Sequence, residues 1–234
     1  ADSGSTGATL NISNVAPVIT EVFSVPAITL NAGATKDVYV AFNVSDDNGA
    51  SDINISSALA TLNQTGETTR QSSTCDTSVN GSTWIVFNCT VQMQYYDAAG
   101  TWSINVSVSD NSANYVENAS ETATVNSLDA ISLSVATIDF GTAAPGTTDV
   151  AGTDLGVNNL GNTDYTQIDV RAYNLTSGSD QVDAANFCGN DIDDANTGCN
   201  ALSDASDITI TGATLSRGAG AQEPSGGRCR RCGP

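Results

Sequence analysis

Between Gly100 and Asn114 the chain reads GTWSINVSVSDNSAN, and this stretch limits the fold more than any other. Trp102, Ile104, Val106 and Val108 occupy one side of a two-residue period, and Ser103, Asn105, Ser107 and Ser109 the other. Alternate side chains of an extended chain point to opposite faces, so the pattern predicts a half-buried β-strand. Asp110, Asn111 and Ser112 then end it, because these side chains hydrogen-bond their own backbone in turns.

Similar segments recur. Val18 to Val25, Lys36 to Ser45 (Val38, Val40, Phe42 and Val44 on one face), Ile53 to Leu62, Trp84 to Tyr96 and Thr122 to Val125 read as strands. Turn signals at Asn31-Ala32-Gly33, Asp46-Asp47-Asn48-Gly49 and Asn80-Gly81 separate them. Six or seven short strands in about 110 residues predict an antiparallel β-sandwich. A second run of strands begins at Ile131, Leu133 and Val135, continues over Gln167 to Leu175, and ends near Ile208 and Ile210.

Charge and cysteine usage bound the function. Twenty-six acidic residues against seven basic ones give a formal charge of -19. Nucleic acid is excluded as a partner, since phosphate binding needs clustered Lys and Arg, and anionic membranes are disfavoured by the same sign. The chain has no histidine, which removes His-dependent triads and His-containing metal sites. Lys36 is the sole lysine and no hydrolase motif surrounds it. No apolar run is long enough to span a bilayer. The start Ala1-Asp2-Ser3-Gly4 is expected to be the mature end left by a cleaved signal peptide. Six cysteines fall in close pairs, Cys75 with Cys89, Cys188 with Cys199 and Cys229 with Cys232, a usage that fits an oxidising compartment. A tight two-residue hairpin at Asn80-Gly81 would set residue 86 opposite Cys75, so a Cys75–Cys89 bridge requires a wider loop or a bulge. Cys188 with Cys199 would close a short loop. Cys229-Arg230-Arg231-Cys232 has redox or zinc spacing but neither a second ligand pair nor a strand and helix around it.

Gly100 to Asn114, preceded by Ala99 and followed by Tyr115, resembles the late strand of polycystic-kidney-disease-type and related immunoglobulin-like repeats, with a Gly-x-aromatic start and an apolar alternation that ends in Asp. The lead-in Asn14 to Val18 and the Asp-Asp-Asn-Gly turn at 46 to 49 are similar to the same repeats in archaeal and bacterial surface proteins. Further on, Asp139-Phe140-Gly141, Pro145-Gly146 and Val157 to Asn162 resemble a second immunoglobulin-like family of surface and secreted proteins. Asp139-Phe140-Gly141 is also a kinase triplet, but the other kinase motifs are missing. The resemblances imply an all-β protein of two tandem immunoglobulin-like antiparallel β-sandwich domains. Residues 1–13 are a flexible N-terminal segment, 14–127 the first sandwich and 128–216 the second. Residues 217–234, with four of the seven basic residues and no apolar periodicity, are expected to be a disordered basic tail. The other explanation is a gene end read in a shifted frame, leaving the second sandwich short of an edge strand.

Two kinds of site stand out. Asn-x-Ser/Thr sequons occur at Asn11 and Asn80 and, as glycan candidates, at Asn43, Asn54, Asn63, Asn88, Asn105, Asn118 and Asn174. Asn43, Asn88 and Asn105 fall on the polar sides of their strands, where a glycan would project away from the core. Calcium, the one cofactor in view, takes many oxygens from flexible loops. Asp46, Asp47 and Asn48 form one acidic turn and Asp191, Asp193 and Asp194 another, although Ala195 breaks an EF-hand order started at Asp191. No pair of carboxylates is singled out for glycoside hydrolysis.

The function these readings imply is structural. The expected protein is a non-enzymatic, extracellular component of a cell-surface layer, filament or stalk, with other copies of itself or other surface proteins as partners. The alternative is an adhesin or carbohydrate-binding module, calcium-dependent or not, for which Tyr95, Tyr96 and Trp102 are the aromatics that a sugar would stack on.

Overall fold

A computed structural model describes residues 13–142, 144, 147, 150, 152–153, 155–190, 200–210, 214–218 and 228–231. Among them the only helical turns are two short 3-10 segments, and the rest of the regular structure is β. The chain divides into two compact units, one drawn from Ala1–Ile28, Asp37–Met93 and Thr101–Val125, the other from Thr29–Lys36, Gln94–Gly100 and Asn126–Pro234. Two stretches from within the first run of strands, Thr29–Lys36 and Gln94–Gly100, belong to the second unit.

The first unit is one antiparallel seven-stranded sheet built from β1 (Val18–Val22), β2 (Lys36–Ser45), β3 (Ile53–Asn63), β4 (Arg70–Asn80), β5 (Trp84–Met93), β6 (Gly100–Asp110) and β7 (Tyr115–Val125). The strand order is β1-β2-β5-β4-β3-β6-β7. The sheet curls on itself, since β1 and β7, its first and last strands, lie against each other. Beyond β1, Ile28 donates its N–H to Thr124 O at 2.8 Å and bridges Val125.

The core follows the alternation. Val38, Val40, Phe42 and Val44 of β2 are buried, as are Ile85, Phe87, Cys89, Val91 and Met93 of β5 and Trp102, Ile104, Val106 and Val108 of β6. Phe42 and Phe87, on neighbouring strands, stack with ring centroids 5.2 Å apart. Ser107, expected on the outer side, is buried as well.

β4 has no counterpart among the expected strands. Arg70 and Gln71 pair with Leu62 and Thr61 of β3, whereas Ser72 to Asn80 pair with β5, so this strand changes partner along its length and joins the two halves of the sheet. Its register also settles the cysteines. Asn80 pairs with Ile85 across a four-residue connection, and the shift between Thr77 and Val79 removes one further step, so Cys75 lands opposite Cys89 and the two are disulfide-bonded. Both the wider loop and the bulge are present.

The second unit consists of short sheets: β8 (Ile131–Leu133) with β9 (Val157–Asn159), β10 (Asp169–Arg171) with β15 (Asp207–Thr209), β11 (Leu175–Ser177) with β12 (Asp180–Val182), and β13 (Phe187–Asn190) between β14 (Asn200–Ala201) and β16 (Arg228–Arg231). A short strand at 228–231, inside the segment expected to be a tail, pairs its backbone antiparallel with Phe187 to Asn190. Polar side chains organise part of the unit. Buried Asn162 accepts from Leu128 N and donates to the carbonyls of Asp97 and Asn126. Beside it, a Cβ on Gly161 would lie 2.0 Å from Leu128 O, so only glycine fits there.

Two stability effects follow. Substituting both Cys75 and Cys89 with Ala should lower the unfolding free energy by about 3 kcal/mol, mainly through the freed unfolded chain. Asn162→Ala should lower it by about 2 kcal/mol or more, because it strands several backbone groups. Urea unfolding measures both, followed for the cysteine pair by the fluorescence of Trp84 and Trp102 in the first unit and for Asn162→Ala by far-ultraviolet circular dichroism, and wild-type midpoints would contradict these roles.

Candidate functional site

Two strands of the first unit end in the same local device. At the end of β2, Asp46 Oδ1 accepts the N–H of Asn48 at 2.8 Å, and the Asp46 carbonyl accepts that of Gly49 at 3.0 Å. Gly49 has φ +111°, which a side chain would resist. At the end of β6, Asp110 Oδ1 accepts the N–H groups of Ser112 and Asn114 at 2.9 and 2.8 Å. Such turns favour aspartate because its short side chain reaches the backbone two residues on.

Register brings in a third acid. Ile53, the first residue of β3, pairs with Asp110, and Asp52 precedes it in the 3-10 turn Ala50–Asp52. The Asp52 carbonyl accepts the N–H of Asn111 at 2.8 Å. The result is a triad in which a carboxylate oxygen from each of Asp46, Asp52 and Asp110 lies within 4.8 Å of the other two. Asp46 is 2% exposed, Asp110 1%, and Asp52 is half-buried.

The three acids are satisfied unequally. Asp110 Oδ2 accepts from Asn14 Nδ2 and Asn114 Nδ2, both at 2.7 Å, so each Asp110 oxygen accepts two hydrogen bonds. Asp46 Oδ2 and Asp52 Oδ2 are shut from solvent and accept no hydrogen bond from the described residues. Burial raises the Asp110 carboxyl pKa, but the bonds from Asn114, Asn14 and Ser112 outweigh it and hold the carboxyl below the ordinary aspartate value. Burial first, and then the charges of Asp46 and Asp110, push Asp52 above that value.

The lead-in segment is fastened to the same place. Asn14 holds Asp110, and Val15 donates its N–H to Asn48 Oδ1 at 2.7 Å. Of the expected calcium turn, Asp46 therefore joins the site. Asp47 is exposed and outside the triad, and Asn48 Oδ1 accepts the N–H of Val15. Asp52 and Asp110 were not expected as ligands. Their signal was an aspartate at each of two strand ends, which becomes a site only once the β3–β6 register is known. Asp191, Asp193 and Asp194 lie outside the described residues.

The remaining candidates are scattered. Cys188 is disulfide-bonded, while Cys199 lies outside the described residues. Among the sequons Asn63 and Asn88 are exposed, whereas Asn43, Asn54, Asn105, Asn118 and Asn174 are half-buried. Asn43 and Asn105 have a side-chain oxygen shut from solvent, so the outer sides of β2 and β6 are more covered than the alternation implied. Trp102 is wholly buried and presents no face to a sugar. Tyr95 and Tyr96 pack edge to face with centroids 5.0 Å apart, and Tyr95 donates its hydroxyl to Gly218 O. The second unit contains an open cavity of about 290 Å³ lined chiefly by apolar side chains, including Phe140, Val170, Leu175 and Phe187. Its one charged lining residue, Arg171, is bound in two-pronged fashion by Asp207, at 2.6 Å for each bond.

No family model, curated protein or solved structure matches the chain. Among the described residues, no helix is long and apolar enough to cross a membrane.

The triad has a pH signature without added cations. A carboxyl whose folded pKa is raised destabilises the fold as pH climbs from the ordinary aspartate value through the raised one, so Asp52 opposes folding at neutral pH. Asp52→Asn should raise the melting temperature at pH 7 in chelator, with the gain vanishing below the ordinary value. Asp110, depressed, behaves in the opposite sense: its contribution is complete above the ordinary value and is lost as pH falls through the lowered one. Asp110→Ala should therefore lower the melting temperature at pH 7. Calorimetric melts across pH measure both signs, and a fall in melting temperature for Asp52→Asn at pH 7 would contradict this account.

Proposed function

We propose that the protein is a non-enzymatic, extracellular structural module of a cell-surface assembly, with its first unit acting as a rigid immunoglobulin-like spacer of the polycystic-kidney-disease type and its second as a smaller immunoglobulin-like partner domain. The observation that carries this reading is the Cys75–Cys89 bond. It joins directly opposed residues of β4 and β5, half-buried Cys75 and buried Cys89, and such a bond between strands fits an oxidising surrounding. The acidic surface adds colloidal repulsion and suits a crowded exterior. Its partners are other copies of the chain or other surface proteins, reached through side chains such as Tyr39 and Tyr115, which stand exposed on β2 and β7.

The test is mass mapping of native protein taken from intact cells without reductant, together with electron microscopy of the surface. A Cys75–Cys89 linked peptide and labelling outside the cell envelope are expected. Free thiols at both positions, or an intracellular location, would contradict the reading. Where glycans are found, exposed Asn88 and Asn63 should be occupied ahead of Asn43 and Asn105.

A further inference from the structure

We propose that Asp46, Asp52 and Asp110 form a binding site for a divalent cation of the calcium class, which pins together the end of β2, the start of β3, the end of β6 and the lead-in segment at Asn14. Proximity of acids alone would not carry this, since acidic groups often share a surface. The second observation is the state of their oxygens. Asp46 is almost completely buried, its Oδ1 is used by its own turn, and its Oδ2 has neither solvent nor a donor. Asp52 Oδ2 is in the same state. Buried polar atoms are almost always paired, and a carboxylate left without a partner is far more costly than a neutral group.

Among the described residues, no hydrogen-bond donor compensates these oxygens. The donors on hand, from Asn14, Asn48, Ser112 and Asn114, go to Asp110 and to Asp46 Oδ1. What the site lacks is positive charge at the unused oxygens.

The donor set selects the ion. It is all oxygen, with three carboxylates and neither imidazole nor thiolate, which disfavours zinc and copper. Three oxygens within 4.8 Å of one another lie within about 2.8 Å of a common point, close to the usual calcium–oxygen distance. The ligands come from separate strand ends and leave the rest of the shell to water and backbone oxygens, an irregular arrangement that calcium accepts and magnesium, with its strict octahedron, does not. Because Asp110 is also the acceptor for Asn14, an ion on the triad strengthens the anchoring of the lead-in segment.

The experiment is isothermal titration calorimetry of the full chain, stripped with chelator, against calcium chloride and separately against magnesium chloride, with thermal melts in parallel. Saturable calcium binding near one ion per triad and a melting temperature several degrees higher with calcium are expected. Asp46→Asn and Asp52→Asn should each weaken calcium binding at least tenfold, while Asp47→Asn, beside the site but outside it, should bind as the wild type does. Circular dichroism establishes that each variant is folded, and Asp52→Asn keeps the test decisive if Asp46→Asn does not fold. Absence of saturable binding at millimolar calcium, magnesium binding as tight as calcium, or equal loss in Asp47→Asn would overturn the proposal. Since these readouts do not depend on where the protein resides, failure of the surface role would leave them unchanged.

Discussion

Everything in the first unit depends on one dry interior, filled from β2, β5 and β6 by side chains at every second position. Phe42, Phe87 and Trp102 are its largest members, and all three are wholly shielded from water. Complete burial of such side chains is worth about 2–3 kcal/mol each, which far outweighs the weak propensities of the Ser, Thr and Asn between them. Because the side-chain period is two, a slip of one residue in any of these strands would turn its apolar set outward, so burial also fixes register. Register is what turns sequence into a site here. Once Ile53 pairs with Asp110, the 3-10 turn that leads into β3 brings Asp52 to that carboxylate.

The same constraint explains why acids accumulate where they do. Strands β2 and β6 both end in aspartates that close turns with their own backbone, a local role that requires no ion. Their meeting with Asp52 is a consequence of topology, and it concentrates negative charge in a place from which solvent is excluded. The unit keeps this arrangement although an apolar or amide side chain would relieve it. A cation supplies the missing term. It would also link segments far apart in sequence without adding apolar area, a useful device in a chain so rich in small polar residues.

Legibility in the sequence tracked burial. β2, β5 and β6 could be read because each hides one full face, and their predicted core residues are the ones buried. β4, RQSSTCDTSVN, could not. Its residues are mostly exposed, Val79 among them at 57%, so it carries no alternation and owes its place to partners on both sides. β16 was missed for a related reason: a run of arginines and a cysteine shows no period, and backbone pairing with β13 alone defines it. In the site, the turn chemistry of Asp46 was legible as local sequence. The turn role of Asp110 was equally legible, but the meeting of Asp46, Asp52 and Asp110 was not, since it arises from a pairing between strands that no local pattern encodes.

The central claim is that the triad is completed by a metal ion, and a high-resolution crystal structure grown with calcium chloride tests it most directly. The account predicts one strong spherical peak with an anomalous signal, bounded by oxygens of Asp46, Asp52 and Asp110 at about 2.3–2.6 Å. Carboxylates of the triad bridged only by water or by a shared proton, with calcium absent from between them, would contradict it.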